Sequence, residues 1–191
     1  MQKKLYLKNI AEVIAGYTFR TALQGKENAS LFVLQAKNIF DDATVDEENL
    51  DGIDFENFRS RATVEKGDVV ISSRGNFRAG VVSLGIKDII ASSSVYILKI
   101  KADSVVPEYL AIFLNSLNGQ KQIGEKATGA AINTILRKDL EDMKIIMPDI
   151  ETQEKIVRLY HTNKKLEKTL TRKINLINSI NEGAINKLLN N

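Results

Sequence analysis

The sequence predicts an α+β protein in two parts: a mixed globular domain over residues 1–148, followed by one long C-terminal α-helix, coiled-coil-like, over 149–191. Three observations lead there. Short β-branched runs separated by glycine-bearing turns fill the first part without a clean strand–helix–strand alternation. A run of apolar residues at three- and four-residue steps begins at Pro107. After Pro148 there is no further proline, and the only glycine is Gly183, so nothing local interrupts a helix.

Taken in order, Ile10-Ala-Glu-Val-Ile14 reads as a helix ahead of Gly16-Tyr-Thr-Phe-Arg20, with Tyr17 and Phe19 as packing residues. Leu31-Phe-Val-Leu-Gln35 has strand length and apolarity. Lys66-Gly67-Asp68 is a turn, and it leads into a hairpin of Val69–Ser73, the loop Arg74-Gly-Asn-Phe-Arg-Ala-Gly80, and Val81–Leu84. Ser94–Ile100 is a further strand, rich in β-branched and aromatic residues. Pro107 suits a first helical turn, and Tyr109, Leu110, Phe113, Leu114 and Leu117 share one helical face. Gly119–Lys126 reads as a second short helix, Thr128–Ala131 as a break, and Lys144–Met147 as a last strand ending at Pro148.

From Glu151 to Leu189, apolar residues fall at three- and four-residue steps that include Ile156, Leu159, Leu166, Leu170, Ile174, Ile177, Ile180, Ala184 and Leu188. They form one stripe on a helix of about 39 residues, about 58 Å at 1.5 Å per residue. A helix longer than about 25 residues cannot pack along its whole length against so small a domain. The stripe therefore calls for a partner, either a second copy or another protein; folding back onto its own domain is the alternative. Leu166, Leu170, Ile177, Ile180 and Ala184 fit heptad a and d positions, with Asn163 and Lys173 as polar interruptions able to set register.

Composition excludes several classes of function. With no cysteine and one histidine, His161, the chain lacks the usual zinc set and any disulfide. His161 reads as a surface or seam residue. No glycine-rich dinucleotide or phosphate-loop motif occurs. Pro107 and Pro148 stand apart, so the paired prolines of an amino-methyltransferase loop are missing. Asp142-Met-Lys144 is the single D-x-K triplet, entering a strand, and E-x-K does not occur, which argues against a common metal-dependent nuclease. No apolar run approaches membrane-spanning length and no signal-like stretch opens the sequence, so a cytoplasmic protein outside any membrane is expected. The formal charge is +3; residues 1–147 hold 19 basic and 19 acidic residues of the 27 and 24, leaving eight and five for the tail. A nucleic-acid reader of this composition depends on local basic loops and not on a global field.

Several segments, in this order, resemble one repeat of a type I restriction-modification specificity subunit: Gly16–Arg20, Leu34-Gln-Ala-Lys-Asn-Ile39, Lys66-Gly-Asp-Val-Val-Ile-Ser-Ser-Arg-Gly75, Ala91-Ser-Ser-Ser-Val-Tyr96, Pro107-Glu-Tyr-Leu110 with Gly129-Ala-Ala-Ile132, Leu140–Pro148, and Glu151-Thr-Gln-Glu-Lys-Ile156. The resemblance spans about residues 5 to 160. It implies a non-catalytic, DNA-reading target recognition domain at 1–148 and a spacer helix from 149 for dimerisation and methyltransferase docking. A full subunit of that family holds two such domains and two long helices packed antiparallel, each domain reading half of a bipartite target. No internal repeat is found here. A homodimer of half-subunits, a fragment ending at a domain boundary and a natural truncated product all fit. The implied partners are double-stranded DNA, a modification (methyltransferase) subunit and, in complexes that restrict, a restriction subunit. The chain itself needs no cofactor; S-adenosylmethionine, and ATP with magnesium, would belong to partner subunits. The alternative is a protein-binding adaptor or relic subunit with little DNA specificity.

Arginine reads guanine edges, and asparagine or glutamine reads adenine. The candidate DNA contacts are Arg74, Asn76 and Arg78, in a glycine-flanked loop that also carries Phe77; Arg59 and Arg61 before a strand; Arg20, Gln24 and Lys26 near the start, beside Tyr17; and Lys126, Thr128 and Asn133 around the Gly129 loop. Arg74 also falls on a family motif position, so holding the hairpin and touching DNA are both open for it.

Overall fold

The computed structural model describes residues 3–19, 29–54, 60–84 and 88–190. In chain order the elements are β1 (Lys3–Tyr6), α1 (Leu7–Ile10), β2 (Ala11–Ala15), β3 (Leu31–Leu34), a 3-10 turn (Ala36–Asn38), β4 (Asp51–Ile53), β5 (Thr63–Val64), β6 (Val69–Ser72), β7 (Ala79–Val81), β8 (Ile89–Ala91), β9 (Val95–Ile100), α2 (Pro107–Asn115), α3 (Leu117–Lys126), α4 (Arg137–Glu141), β10 (Lys144–Met147) and α5 (Ile150–Leu189). This is the α+β architecture that the sequence predicts.

A four-stranded sheet in the order β2-β9-β6-β7, antiparallel throughout, is buried on both faces. Side chains alternate across a strand. Val69, Ile71, Leu98 and Val13 therefore enter a core shared with α2, α3 and α4, whereas Val70, Ile97 and Ile14 enter a second core. That second core lies against another sheet, β4-β3-β8-β5, in which β3 and β8 run parallel. Each fully buried Val, Leu or Ile contributes about 1.5–3 kcal/mol of transfer energy, so two buried faces explain why these strands read as continuous apolar runs. β1 pairs antiparallel with β10, from Lys3 opposite Met147 to Tyr6 opposite Lys144. The first described residues are thereby tied to the strand that leads into α5.

Three local readings change, at Ile10–Ile14, at the second hairpin strand and at Leu117, which begins α3 and is 93% exposed instead of sharing the buried face of α2. Ile10–Ile14 is not a helix: α1 ends at Ile10, and Ala11–Ala15 is a strand paired with β9 across about 85 residues of sequence. The alternation of buried Ala11 and Val13 with half-exposed Glu12 serves that pairing. The second hairpin strand runs from Ala79 to Val81 instead of Val81 to Leu84, and on its other side Val81 forms a parallel bridge with Thr44. At Gly80 a Cβ would lie 2.7 Å from the Thr44 carbonyl oxygen, so only glycine lets the two backbones meet. The Lys66–Asp68 turn is present, with Gly67 at φ +90° and the Asp68 carboxylate accepting from Glu65 N–H at 2.8 Å and Lys99 Nζ at 2.9 Å.

α5 runs for 40 residues, about 60 Å. Asp149 caps it, accepting from Thr152 N–H at 2.8 Å. One turn on, Gln153 is fully buried and makes three hydrogen bonds at 2.9 Å: its Oε1 accepts from Val106 N–H, and its Nε2 donates to the carbonyls of Ser104 and Pro148. Ile156, Val157 and Tyr160 pack half-buried on the first core, and the Tyr160 hydroxyl donates to the Asp41 carbonyl at 2.9 Å. Past Lys164 every described residue of the helix is exposed. The helix therefore leaves the domain and does not fold back on it.

Two outcomes follow from this base. Gln153→Ala strands one buried N–H and two carbonyls and lowers unfolding stability by about 2–4 kcal/mol, measured by urea denaturation. The Thr152 N–H holds the Asp149 carboxyl below its ordinary value of 3.8. A depressed folded-state pKa gives stability that is present above the unfolded value and lost as pH falls through the folded one. Asp149→Ala accordingly melts below the wild type at neutral pH, and the gap closes as pH is lowered beneath 3.8, read by circular dichroism.

Candidate nucleic-acid interface

The loop between β6 and β7 is shaped from within. Ser72 Oγ donates to the Asn76 carbonyl and accepts from Arg78 N–H at 3.0 Å, while Ser72 N–H bonds the Arg78 carbonyl at 2.9 Å. Gly75 sits at φ +74°, the left-handed region this tight loop requires. Between α3 and α4 a second loop closes on itself: Thr128 and Thr134 exchange backbone bonds of 2.9 and 2.8 Å. Its tip passes through Gly129 at φ +141°, where a Cβ would lie 2.1 Å from the Ile132 carbonyl oxygen.

These two loops are joined by residues about sixty positions apart in sequence. Gly75 N–H donates to the Asn133 carbonyl at 2.8 Å, Ile135 N–H donates to the Ser73 carbonyl at 3.0 Å, and Arg74 bridges Thr134. Supporting side chains brace them from below. The Asn115 amide makes both backbone bonds of Ala79 at 2.8 Å, Gln120 Nε2 donates to the Phe77 carbonyl at 2.7 Å, and the Tyr96 hydroxyl donates to the Ile135 carbonyl at 3.1 Å. Arg74, Asn76, Arg78, Thr128 and Asn133 thus come together on one rigid platform with their side chains exposed. Among the described residues neither the Arg74 nor the Arg78 guanidinium forms an ion pair. Phe77 packs half-buried on the first core.

The other candidates are dispersed. Lys126 Nζ donates to the Asp139 carbonyl at 3.2 Å and lines a cleft with Tyr6, Lys8, Asp142 and Lys144, one step away from the platform. Arg61 lies on the far edge of the domain, 2.6 Å from the Glu12 carboxylate, which offsets its charge. Arg20, Gln24, Lys26 and Arg59 lie outside the described residues. Asn115, Gln120 and Tyr96, the braces of the platform, had no signal in the sequence beyond their polarity. Ile132 and Leu136, each 59% exposed, add apolar surface beside the two arginines of a kind able to meet a thymine methyl.

Asp142 of the D-x-K triplet is bound to Lys8 at 2.7 Å, and that hydrogen bond holds its carboxyl below the ordinary value. Lys144 Nζ lies over the Tyr6 ring at 5.8 Å. Both groups of the triplet are thus occupied in joining α4 and β10 to the N-terminal segment. Among the described residues no cluster of His, Cys, Asp and Glu could hold a metal, and no helix is long and apolar enough to cross a membrane.

On α5, Leu159, Leu166, Leu170, Ile174, Ile177, Ile180 and Leu188 are each about half exposed or more, and Ala184 is exposed beside them. Ile156 alone of the stripe is half-buried against the domain.

The sequence matches the family described as the type I restriction modification DNA specificity domain over residues 3–181, nearly the whole chain. The chain belongs to that family. A curated relative, the type I restriction enzyme MjaVIII specificity subunit of Methanocaldococcus jannaschii, is 25% identical over 125 residues, covering 65% of this chain and 28% of that protein. Among solved structures, the HsdS subunit from Thermoanaerobacter tengcongensis aligns with TM-score 0.64 at 21% identity over 89% of this chain and 39% of that one. The type I restriction-modification S subunit from M. genitalium aligns with TM-score 0.58 at 13% identity over 88% of this chain and 40% of that one. At these identities the structures establish the shared fold. This specificity-domain chain spans about two fifths of the S subunits it superposes on.

Within this specificity domain the platform depends on Gly129. Gly129→Ala forces an L side chain into φ +141° and against the Ile132 carbonyl, costing about 1–3 kcal/mol. Urea denaturation measures the loss, and faster amide exchange at Gly75 and Ile135 localises it.

Proposed function

We propose that this chain is a non-catalytic DNA-reading specificity subunit that directs a type I methyltransferase to its target. The observation that carries the reading is the joined platform. Two exposed guanidiniums, an amide from Asn76 and another from Asn133 stand on loops locked by backbone hydrogen bonds. Direct readout needs donors and acceptors held at fixed positions against base edges, with arginine favouring guanine and asparagine favouring adenine. Arg74 and Arg78 are base readers in this account, and Thr128 contacts the backbone or a base edge beside them. Lys126, one step away, holds phosphate.

The chemistry is supplied elsewhere. A modification subunit would bring S-adenosylmethionine and methylate adenine; a restriction subunit, in complexes that cut, would bring ATP and magnesium. The exposed seam of α5 is where two copies, or a copy and its partner subunit, associate. Two copies carry two recognition domains and read a bipartite site. A helix of about 60 Å spans between one and two turns of DNA at about 34 Å per turn. Such a complex works in the cytoplasm, where its DNA is.

A second reading, a protein-binding adaptor with little specificity of its own, is favoured by one observation: the equal basic and acidic counts of residues 1–147. Selection from a random duplex library by the chain with its methyltransferase partner separates the two. The reader enriches a defined bipartite sequence, and the adaptor enriches none. Arg74→Ala and Arg78→Ala each weaken binding to the selected duplex by about 1–3 kcal/mol and relax the choice at one base pair, with unchanged stability. Arg61→Ala, already paired with Glu12, leaves selection unaltered.

A further inference from the structure

The β1–β10 pair, α3 and the end of α4 enclose a cleft of about 530 Å³, lined by lysines from three separate segments: Lys8 of α1, Lys126 at the end of α3 and Lys144 at the start of β10. Backbone pairing brings them together. Tyr6 stands opposite Lys144 in the antiparallel ladder, and Leu7 N–H donates to the Met143 carbonyl at 2.9 Å. Gln122 of α3 grips the Lys144 backbone from both sides, accepting from its N–H at 2.9 Å and donating to its carbonyl at 3.0 Å.

Like charges gathered this way repel unless something offsets them. Two devices do so here. The Tyr6 ring serves two ammoniums, with Lys8 Nζ 5.2 Å and Lys144 Nζ 5.8 Å from its centre. The Asp142 carboxylate accepts from Lys8 at 2.7 Å, and that hydrogen bond, with the charges of Lys8, Lys126 and Lys138, holds its carboxyl below the ordinary value. The offset is incomplete. Glu125 adds the only other carboxylate to the lining, and among the described residues neither Lys126 nor Lys144 forms an ion pair. An ammonium carries three N–H donors. Lys8 spends one on Asp142 and Lys126 one on the Asp139 carbonyl, while an aromatic face leaves those of Lys144 unspent.

Lys126 is two residues from Thr128 on the platform, so their Cα atoms lie within about 8 Å. Phosphates rise about 3.4 Å apart along one strand, so a strand whose bases meet the platform reaches the cleft about two phosphates further on. We infer that this cleft seats a backbone phosphate of the duplex on Lys126 and Lys144, and that Asp142 competes with that phosphate for Lys8. The inference deepens the DNA-reading function above and rests on it; continuity with the platform favours DNA over an acidic protein segment. Phosphate contacts carry affinity without sequence information. Asp142 thus sets how tightly the domain grips any duplex, and Arg74, Asn76, Arg78 and Asn133 set which duplex it keeps.

The full-length chain with its methyltransferase partner is titrated across salt concentration, by fluorescence anisotropy, with the selected duplex and with a random one of equal length. Lys126→Gln combined with Lys144→Gln weakens both duplexes by the same factor and makes the slope of log K against log salt shallower by about one. Lys144→Arg, which keeps the charge, retains the original slope. Asp142→Asn does the reverse of the lysine changes: both duplexes bind more tightly, by up to about fivefold at low salt, and the slope steepens. All three positions are at least partly exposed, and melting by circular dichroism checks the fold of each variant. Unchanged slopes in every variant, with sequence selection intact, overturn the phosphate seat and leave the reader standing. A slope that responds to the lysines and not to Asp142 overturns the competitor. Weaker association with the methyltransferase, in place of weaker DNA binding, makes the cleft a protein contact and overturns both parts. Absence of selection by the unaltered complex overturns the reading beneath them.

Discussion

The structure depends on how α5 is fixed at its base and left bare beyond it. Gln153 sits with no exposed surface beneath the helix, and its amide ties Val106, Ser104 and Pro148 to the first turn. A buried amide with all three contacts made gives one direction of exit, because any other direction strands a polar group. Everything past Tyr160 inherits that direction. The domain is too small to cover 40 residues of helix, so an apolar seam of about half-exposed leucines and isoleucines stands in solvent. Such a seam is costly in an isolated chain and useful in an assembly.

Beyond the far end of α2 the same economy joins two loops. Neither the β6–β7 loop nor the Gly129 loop has a core of its own; each borrows stiffness from the other through Gly75 and Ile135, and from α2 and α3 through Asn115 and Gln120. The platform therefore moves with the central sheet. A reader mounted this way loses little side-chain and loop freedom on binding, and its position relative to the α5 seam is set by one continuous hydrogen-bonded body.

The parts legible in the sequence were those governed by local chemistry. The absence of helix breakers after Pro148, the Gly67 turn, Pro107 at a helix start and the Gly75 loop all appear where periodicity and turn residues put them. What was illegible depended on distant partners. Ala11–Ala15 carries good helix formers and becomes a strand because β9 offers it a full ladder. β4, β5 and β8 are two or three residues long, too short for any period to register. Arg74, Asn76, Arg78, Thr128 and Asn133 were all visible as loop polar residues, but their union on one surface is made by backbone N–H and carbonyl groups, which leave no mark on residue identity. Phe77, carried by the same loop, packs partly buried on the first core.

The central claim, that α5 is a free rod completed by association, is tested most directly by amide hydrogen exchange across protein concentration. The account predicts that amides from about Leu166 to Leu188 exchange rapidly at high dilution and become protected together as concentration rises, while Val69–Ile71 in the central sheet stay protected throughout. Protection of the distal helix that is independent of concentration, or absent at every concentration, would contradict it.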